Sequence, residues 1–167
     1  MKRYLPLWML LMGLYACNND DVQQQKPVTI GPQPQQWFAT DTVVVWNCDA
    51  AAESRTRVYK PSDSVPMPQP LINGINKIWP EPVMELVALR HDTVEVTLKN
   101  PAWLTGKSGN AGAEQYLSFA ALNLLETKGV HYVHFNFPRG AHAGPSVWSG
   151  ADFSDWKTIE SQNDPLP

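Results

Sequence analysis

Two alternating apolar segments joined by only two residues constrain the fold of this chain most strongly. MELVALR (residues 84–90) and TVEVTLK (residues 93–99) are separated by His91 and Asp92 alone. Such a short connection can join antiparallel strands but not parallel ones, which need a crossover. In the second segment the apolar side chains fall on one face: Val94, Val96 and Leu98. The pattern therefore predicts a β-hairpin with one buried face and one wet face.

A long helix and a further strand are predicted after the hairpin. AGAEQYLSFAALNLLETKG (residues 111–129) has Asn110 as its expected N-cap and Gly129 as its expected C-terminal glycine. Its expected core stripe consists of Leu117, Ala120, Ala121, Leu124 and Leu125. VHYVHFNF (residues 130–137) then favours a strand that Pro138 ends.

The rest of the chain supplies weaker signals. Strands are expected at residues 42–47 and 55–59, and a helix at 71–79. Loops are expected at 60–70, at 100–112 and from 139 onward, and the last of these should contain a short terminal turn. The predicted order, β(β)αββαβ, gives an α+β fold. We expect a βαββαβ-like two-layer domain with a mainly antiparallel sheet and two helices on one face.

The N-terminus, MKRYLPLWMLLMGLYAC, is typical of a secretory signal. Lys2 and Arg3 precede an apolar run at residues 5–14 that is too short to span a bilayer. LYAC resembles a bacterial lipobox, which implies a signal peptide at residues 1–16 and a lipid on Cys17. The alternative is an ordinary signal peptide with an incidental cysteine.

A tether is predicted between the lipid and the folded domain. Residues 18–36 are rich in Gln, Pro and Asp and poor in apolar side chains, so we expect residues 17–36 to be flexible and residues 37–167 to form one domain. CNNDD also resembles a signal that sends some lipoproteins to the cell surface, although it can equally be the soluble start of a tether. We therefore expect a lipid-anchored envelope protein in the outer membrane, on its periplasmic or its surface face.

Charge and cysteine content narrow the possible functions. Without Lys2 and Arg3 the chain has 11 Lys and Arg against 16 Asp and Glu, a net charge of −5. This balance argues against binding nucleic acid. Cys48 would then be the second and last cysteine, and we interpret it as a buried apolar residue, with a catalytic nucleophile as the alternative.

No motif predicts a catalytic site, a metal or a cofactor. The Gly106–Ser108 stretch (GKS) lacks the earlier glycine of a phosphate loop, because Pro101 stands there. Residues 144–148 (GPSVW) lack the closing glycine of a serine-hydrolase turn. Strand alternation places His131 and His134 on opposite faces, which leaves a pair of His134 and His142 as the alternative metal site.

The segment from residue 139 to 156, RGAHAGPSVWSGADFSDW, is the predicted interaction loop. Cations and aromatic side chains are enriched at protein-binding hot spots, and this segment contributes Arg139, His142, Trp148 and Trp156 as candidate partner-binding residues. The alternative is that its aromatic side chains fold back as a lid over the core.

Residues 71–153 resemble the GerMN-type domain of bacterial envelope proteins. The resemblance lies in TVEVTLKN, in AWLTGKSGNAGAEQYLSFAALNLLETKGV and in HYVHFNF. The longer run that ends in FPRGAHAGPSVWSGADF is similar to small lipoproteins of the Bacteroidetes. The resemblance implies an α+β domain that serves envelope assemblies through protein contacts and carries no known catalytic residues.

These observations predict a non-catalytic, lipid-anchored protein that contacts another, unidentified envelope protein. The alternative is a surface lipoprotein that binds glycans through exposed tryptophans.

Overall fold

The computed structural model describes residues 42–59 and 66–159, which contain both strands and helices. In chain order the elements are β1 (Trp46–Asp49), β2 (Ser54–Arg57), α1 (Pro68–Ile78), β3 (Met84–Arg90), β4 (Thr93–Leu98), α2 (Ala102–Gly106), α3 (Gly109–Leu124), β5 (Tyr132–Asn136), β6 (Ser146–Ser149), a 3₁₀ helix (Gly150–Phe153) and β7 (Lys157–Ile159). The predicted signal peptide (1–16), the predicted lipidation site Cys17 and the predicted tether (17–36) lie outside the described residues.

The strands form two sheets with mostly antiparallel pairing. The larger sheet has the order β3–β4–β5–β6, with β4 and β5 parallel, and the smaller has the order β1–β2–β7, with β2 and β7 parallel. The prediction of an α+β two-layer fold is confirmed. The strands divide between two sheets, however, where the sequence suggested one.

The predicted hairpin forms as β3 and β4. Met84 pairs with Leu98 and Arg90 with Thr93, with a bulge between Leu86 and Ala88. His91 adopts a positive φ of 54° in the tight turn. The alternating apolar side chains of β4 are buried, and they form part of one core with residues of the helices and of β5. This core includes Val94, Val96, Leu71, Ile75, Tyr116, Leu124, Val133 and Phe135.

Helix α3 begins and ends earlier than predicted. It runs from Gly109 to Leu124, its N-cap is Ser108 rather than Asn110, and Gly129 lies in a later turn with a φ of 76°. The helix ends early because the next backbone amides bond three residues back, from Glu126 to Asn123 and from Thr127 to Leu124. This tighter turn lets the chain reverse toward β5.

A buried asparagine joins α3 to the first strand. Asn123 Oδ1 accepts hydrogen bonds from the backbone N–H groups of Val45 (2.7 Å) and Trp46 (3.0 Å), and its Nδ2 donates to the carbonyls of Trp46 and Phe119. One side chain therefore satisfies backbone groups of two elements. Leu125, which we predicted in the core stripe, is only partly buried.

Helix α1 begins at Pro68, three residues before the predicted start. Proline is tolerated in the first helical turn because its missing N–H would have no partner there. Gly74 of this helix lies against the backbone of Val43, and a Cβ on Gly74 would collide with the Val43 carbonyl oxygen. This close approach fixes α1 against the segment that leads into β1.

Two predicted loops contain regular structure. Residues 102–106 form the short helix α2, and the segment after Arg139 forms β6, a 3₁₀ helix and β7. Strand β6 pairs with β5, while β7 pairs with β2, about a hundred residues earlier in the chain. Strand β7 depends on a distant partner, while α2 has five residues and β6 four, which is too short to show a clear period. The prediction of loop for these segments is wrong for these reasons. The first two strands are also displaced, to Trp46–Asp49 and Ser54–Arg57.

Candidate interaction surface

The face of the larger sheet that points away from the core forms a continuous surface, here called the outer face. Strand register sets it in rows: Thr93 beside Tyr132 beside Ser149, Glu95 beside His134 beside Val147, and Thr97 beside Asn136. Because side chains alternate along a strand, these residues lie opposite the buried Val133 and Phe135. The predicted separation of His134 from the core side of β5 is confirmed.

Two large apolar side chains are exposed on the outer face. Tyr132 is 45% exposed and Val147 is 60% exposed. Tyr132 pairs with Ser149 and Val147 with His134, so Tyr132 and Val147 are diagonal neighbours across β5 and β6. They form an aromatic and aliphatic pair surrounded by polar side chains.

The charges on this side of the sheet are balanced. Arg90 Nε lies 3.6 Å from Glu95 Oε2, and Lys99 forms an ion pair with Glu85. Both pairs are partly exposed, so water screens them and each adds little to stability. The outer face therefore presents no strong field of one sign.

The two edges of the larger sheet differ in which groups bond to their outward backbone atoms. At β3, the Asn76 side chain accepts a hydrogen bond from Met84 N and donates to Met84 O, which takes the place of a neighbouring strand. At β6, no described strand pairs with the outer edge, and Asp152 Oδ2 accepts the Ser149 N–H at 2.7 Å. Val147 lies two residues before Ser149, so its backbone groups also point away from β5. On the β6 edge, the outward backbone groups of Val147 are therefore placed where an added strand could pair with them.

The candidate residues Trp148 and Trp156 pack against the core. Trp148 stacks on buried Phe153 with ring centroids 5.6 Å apart, and Trp156 meets the same ring edge-on at 5.1 Å. Trp148 Nε1 also donates to Ser146 Oγ at 3.0 Å. These contacts match the lid alternative for the two tryptophans, because both rings are partly buried and pack against the core.

The candidates Arg139 and His142 lie on a loop that is fixed against α2 and α3. His142 N donates to the Thr105 carbonyl, and His142 Nδ1 bonds to Asn110 Oδ1 at 2.9 Å. The exposed Arg139 side chain lies over the backbone of Gly144, where a Cβ would meet the guanidinium group. This loop is thus separate from the aromatic cluster that holds Trp148 and Trp156.

A shallow depression of about 420 Å³ lies at one end of the outer face. It forms where β4 and β5 begin and β6 ends, and its lining residues are Asp92, His131, Tyr132, Ser149, Gly150 and Ala151. Sequence reasoning did not bring these residues together, because they come from three separate segments. The only signal for part of the set was the alternation that placed Tyr132 on the polar face.

Cys48 is a partly buried thiol beside α3. Gln115 Nε2 donates to the Cys48 carbonyl at 2.8 Å and approaches its Sγ at 3.6 Å. Burial raises the pKa of the Cys48 thiol to about 11, against the opposing effect of the Gln115 hydrogen bond. A thiol that stays protonated is a poor nucleophile, which agrees with the interpretation of Cys48 as an apolar residue.

No protein-family model, curated protein or solved structure matches this chain.

Within residues 42–59 and 66–159, no three His, Cys, Asp or Glu side chains are grouped so that they could hold a metal ion. Among the helices of this same part of the chain, none is both long enough and apolar enough to cross a bilayer.

Proposed function

We propose that this chain is a lipid-anchored protein of the bacterial cell envelope, and that its folded domain binds another protein without catalysing a reaction. The outer face carries the proposal, because Val147 is 60% exposed there, beside a β6 edge with which no described strand pairs. Anchoring is inferred from the signal-like N-terminus and from Cys17. The resemblance of residues 71–153 to the GerMN-type domain points to the same role.

The chemistry of the outer face suits an extended segment of a partner protein. A strand added beside β6 would pair with the outward backbone groups of Val147 and cover its side chain. The balanced charges of the face favour a partner contact that is apolar and backbone-mediated over one that depends on charge.

Two observations support binding over catalysis. The Cys48 thiol has a raised pKa and its side-chain neighbour is an amide. In the described residues, a histidine side-chain hydrogen bond joins His142 Nδ1 to Asn110 Oδ1, whereas the side-chain neighbour of Cys48 Sγ is Gln115 and not a histidine. Neither thiol nor imidazole is thus arranged as a nucleophile with its base.

Photo-crosslinking in cells tests the proposed surface. A photoreactive amino acid replaces Val147 in the full lipidated chain, and another replaces Ile159, which is 52% exposed on the smaller sheet and serves as the matched control. We expect one discrete crosslinked protein from position 147 and none of the same mass from position 159. Equal crosslinking from both positions, or none from 147, would contradict the proposal.

The anchor is tested separately. We expect radioactive palmitate to label the wild-type chain but not the Cys17→Ser variant. The variant should also move from the membrane fraction to the soluble fraction. Protease treatment of intact cells then distinguishes the surface face of the outer membrane from the periplasmic face. Unchanged membrane association in Cys17→Ser would remove the lipid anchor from the proposal.

A further inference from the structure

The walls of the depression at the end of the outer face are held in place by hydrogen bonds. The carbonyl of Asp92 accepts hydrogen bonds from His131 N (2.7 Å) and Tyr132 N (3.0 Å), which ties the hairpin turn to the start of β5. On the opposite side, Asp152 Oδ2 accepts from both Ser149 N and Ser149 Oγ, which fixes the end of β6. The depression is therefore a preformed feature of the fold.

The groups that line the depression combine one aromatic ring with several polar atoms. Tyr132 offers a partly exposed ring from a strand that has neighbours on both sides. Thr93 Oγ1 donates to Asp92 Oδ1 at 3.2 Å, which orients the carboxylate. The hydroxyl of Ser149, whose proton is directed at Asp152, presents its lone pairs as acceptors. His131 adds a ring nitrogen, so donors and acceptors both line the site.

A sugar ring is the ligand whose surface matches this lining. Its apolar C–H face can pack on the tyrosine ring, and its hydroxyl groups both donate to a carboxylate and accept from an imidazole. The volume of about 420 Å³ falls in the range of small-molecule sites. Lysine and arginine are absent from the described lining residues, and Asp92 would repel an anion, so the ligand should carry no negative charge.

Binding, rather than hydrolysis, follows from the carboxylates. Glycoside hydrolysis generally uses two carboxyl groups that flank the bond to be cleaved. Asp92 is the one carboxylate among the described lining residues, while the Oδ2 of nearby Asp152 is engaged by Ser149.

We propose that this depression binds one neutral hexose unit of a glycan, with Tyr132 as the stacking surface and Asp92 as the main hydrogen-bond acceptor. This goes beyond the protein contact proposed above and does not depend on it. The partner contact is assigned to Val147 and the β6 edge, whereas the sugar contact is assigned to residues of the adjoining depression.

Saturation-transfer NMR on the purified full chain in detergent tests the proposal. The probes are the methyl glycosides of glucose, galactose and mannose, with glucuronic acid as the anionic counterpart. A shallow site should bind a single unit weakly, with a Kd on the order of 1 mM. We expect saturation transfer to at least one neutral glycoside and none above background to glucuronic acid.

Three variants locate the binding. Tyr132→Ala and Asp92→Ala should each weaken binding at least tenfold, whereas Asn136→Ala, which changes the same face outside the lining, should leave it unchanged. Circular dichroism of each variant shows whether the fold is retained. Absence of transfer to every neutral glycoside, preference for glucuronic acid, or unchanged binding by both folded lining variants would overturn the proposal. None of these results would alter the crosslinking expected from position 147.

Discussion

The two faces of strand β5 differ sharply in what covers them. Val133 and Phe135 point into the core and are completely buried, whereas Tyr132, one residue away, is nearly half exposed. The same contrast runs through the domain, since α1 and α3 contribute to the core on one side and the outer face has no described helix over it. Substitutions on the packed side should therefore change stability, and substitutions on the open side should change binding.

The largest expected effect is that of Phe135→Ala on the packed side. Removing a fully buried aromatic ring from a central strand loses its burial and leaves a cavity, at a cost of roughly 3–5 kcal/mol in the free energy of unfolding. Urea denaturation of the purified protein measures it. Tyr132→Ala is the matched control on the same strand, and we expect a loss below about 1 kcal/mol. Similar losses for both would break the comparison of the two faces.

Asn123→Ala should also destabilise the packed side, through polar groups. The substitution leaves the buried backbone N–H groups of Val45 and Trp46 without their acceptor, and we expect a loss of roughly 2–4 kcal/mol in urea denaturation. Asn136→Ala on the outer face is the control, and it should change the free energy of unfolding by no more than about 0.5 kcal/mol. A loss below that limit in Asn123→Ala would mean that these amides find other partners.

Ser118→Ala should raise the free energy of unfolding, in contrast to the two core substitutions above. The Ser118 hydroxyl is fully buried in α3 and has no hydrogen-bond partner among the described residues. Replacing it removes an unsatisfied polar group and improves helix propensity, so we expect a gain of about 1 kcal/mol. Thr127→Val, at a second buried hydroxyl of the same kind, should also be neutral or stabilising. Destabilisation by both substitutions would indicate that these hydroxyls are satisfied in solution.

The smallest expected effect on stability is that of Val147→Asp. An exposed side chain on an edge strand can become charged at a cost below about 1 kcal/mol. The same substitution should abolish crosslinking from a photoreactive residue placed at the neighbouring His134, because it puts a charge in the proposed contact. A loss of stability as large as that of Phe135→Ala would show that the outer face is covered in the folded protein.

Local periodicity made much of this architecture predictable. The hairpin of residues 84–98, the placement of α3 and the alternation in β5 all follow from patterns that repeat every two or every three to four residues. The same alternation by itself predicts that Tyr132, His134 and Asn136 lie on the polar face. These features depend only on which side of an element meets the core.

Other features depend on specific contacts that leave no periodic pattern in the sequence. Strand β6 has four residues and no pattern of its own, and it exists because β5 lies beside it. The tryptophans predicted as partner contacts became a cover for the core because Phe153 sits between them. The end of α3 was misplaced because hydrogen bonds after Leu124, and not Gly129, end the helix.

The sequence by itself determined the α+β class, the hairpin and the polar face of β5, because side-chain hydrophobicity at a fixed spacing decides which face turns inward. Only the tertiary structure decided which strands are neighbours, which aromatic residues remain exposed, and that Asp92, Tyr132 and Ser149 line one depression. The physical reason is that the spacing of apolar side chains within one segment sets which of its faces is buried. The pairing of segments dozens of residues apart depends instead on the sum of many long-range contacts.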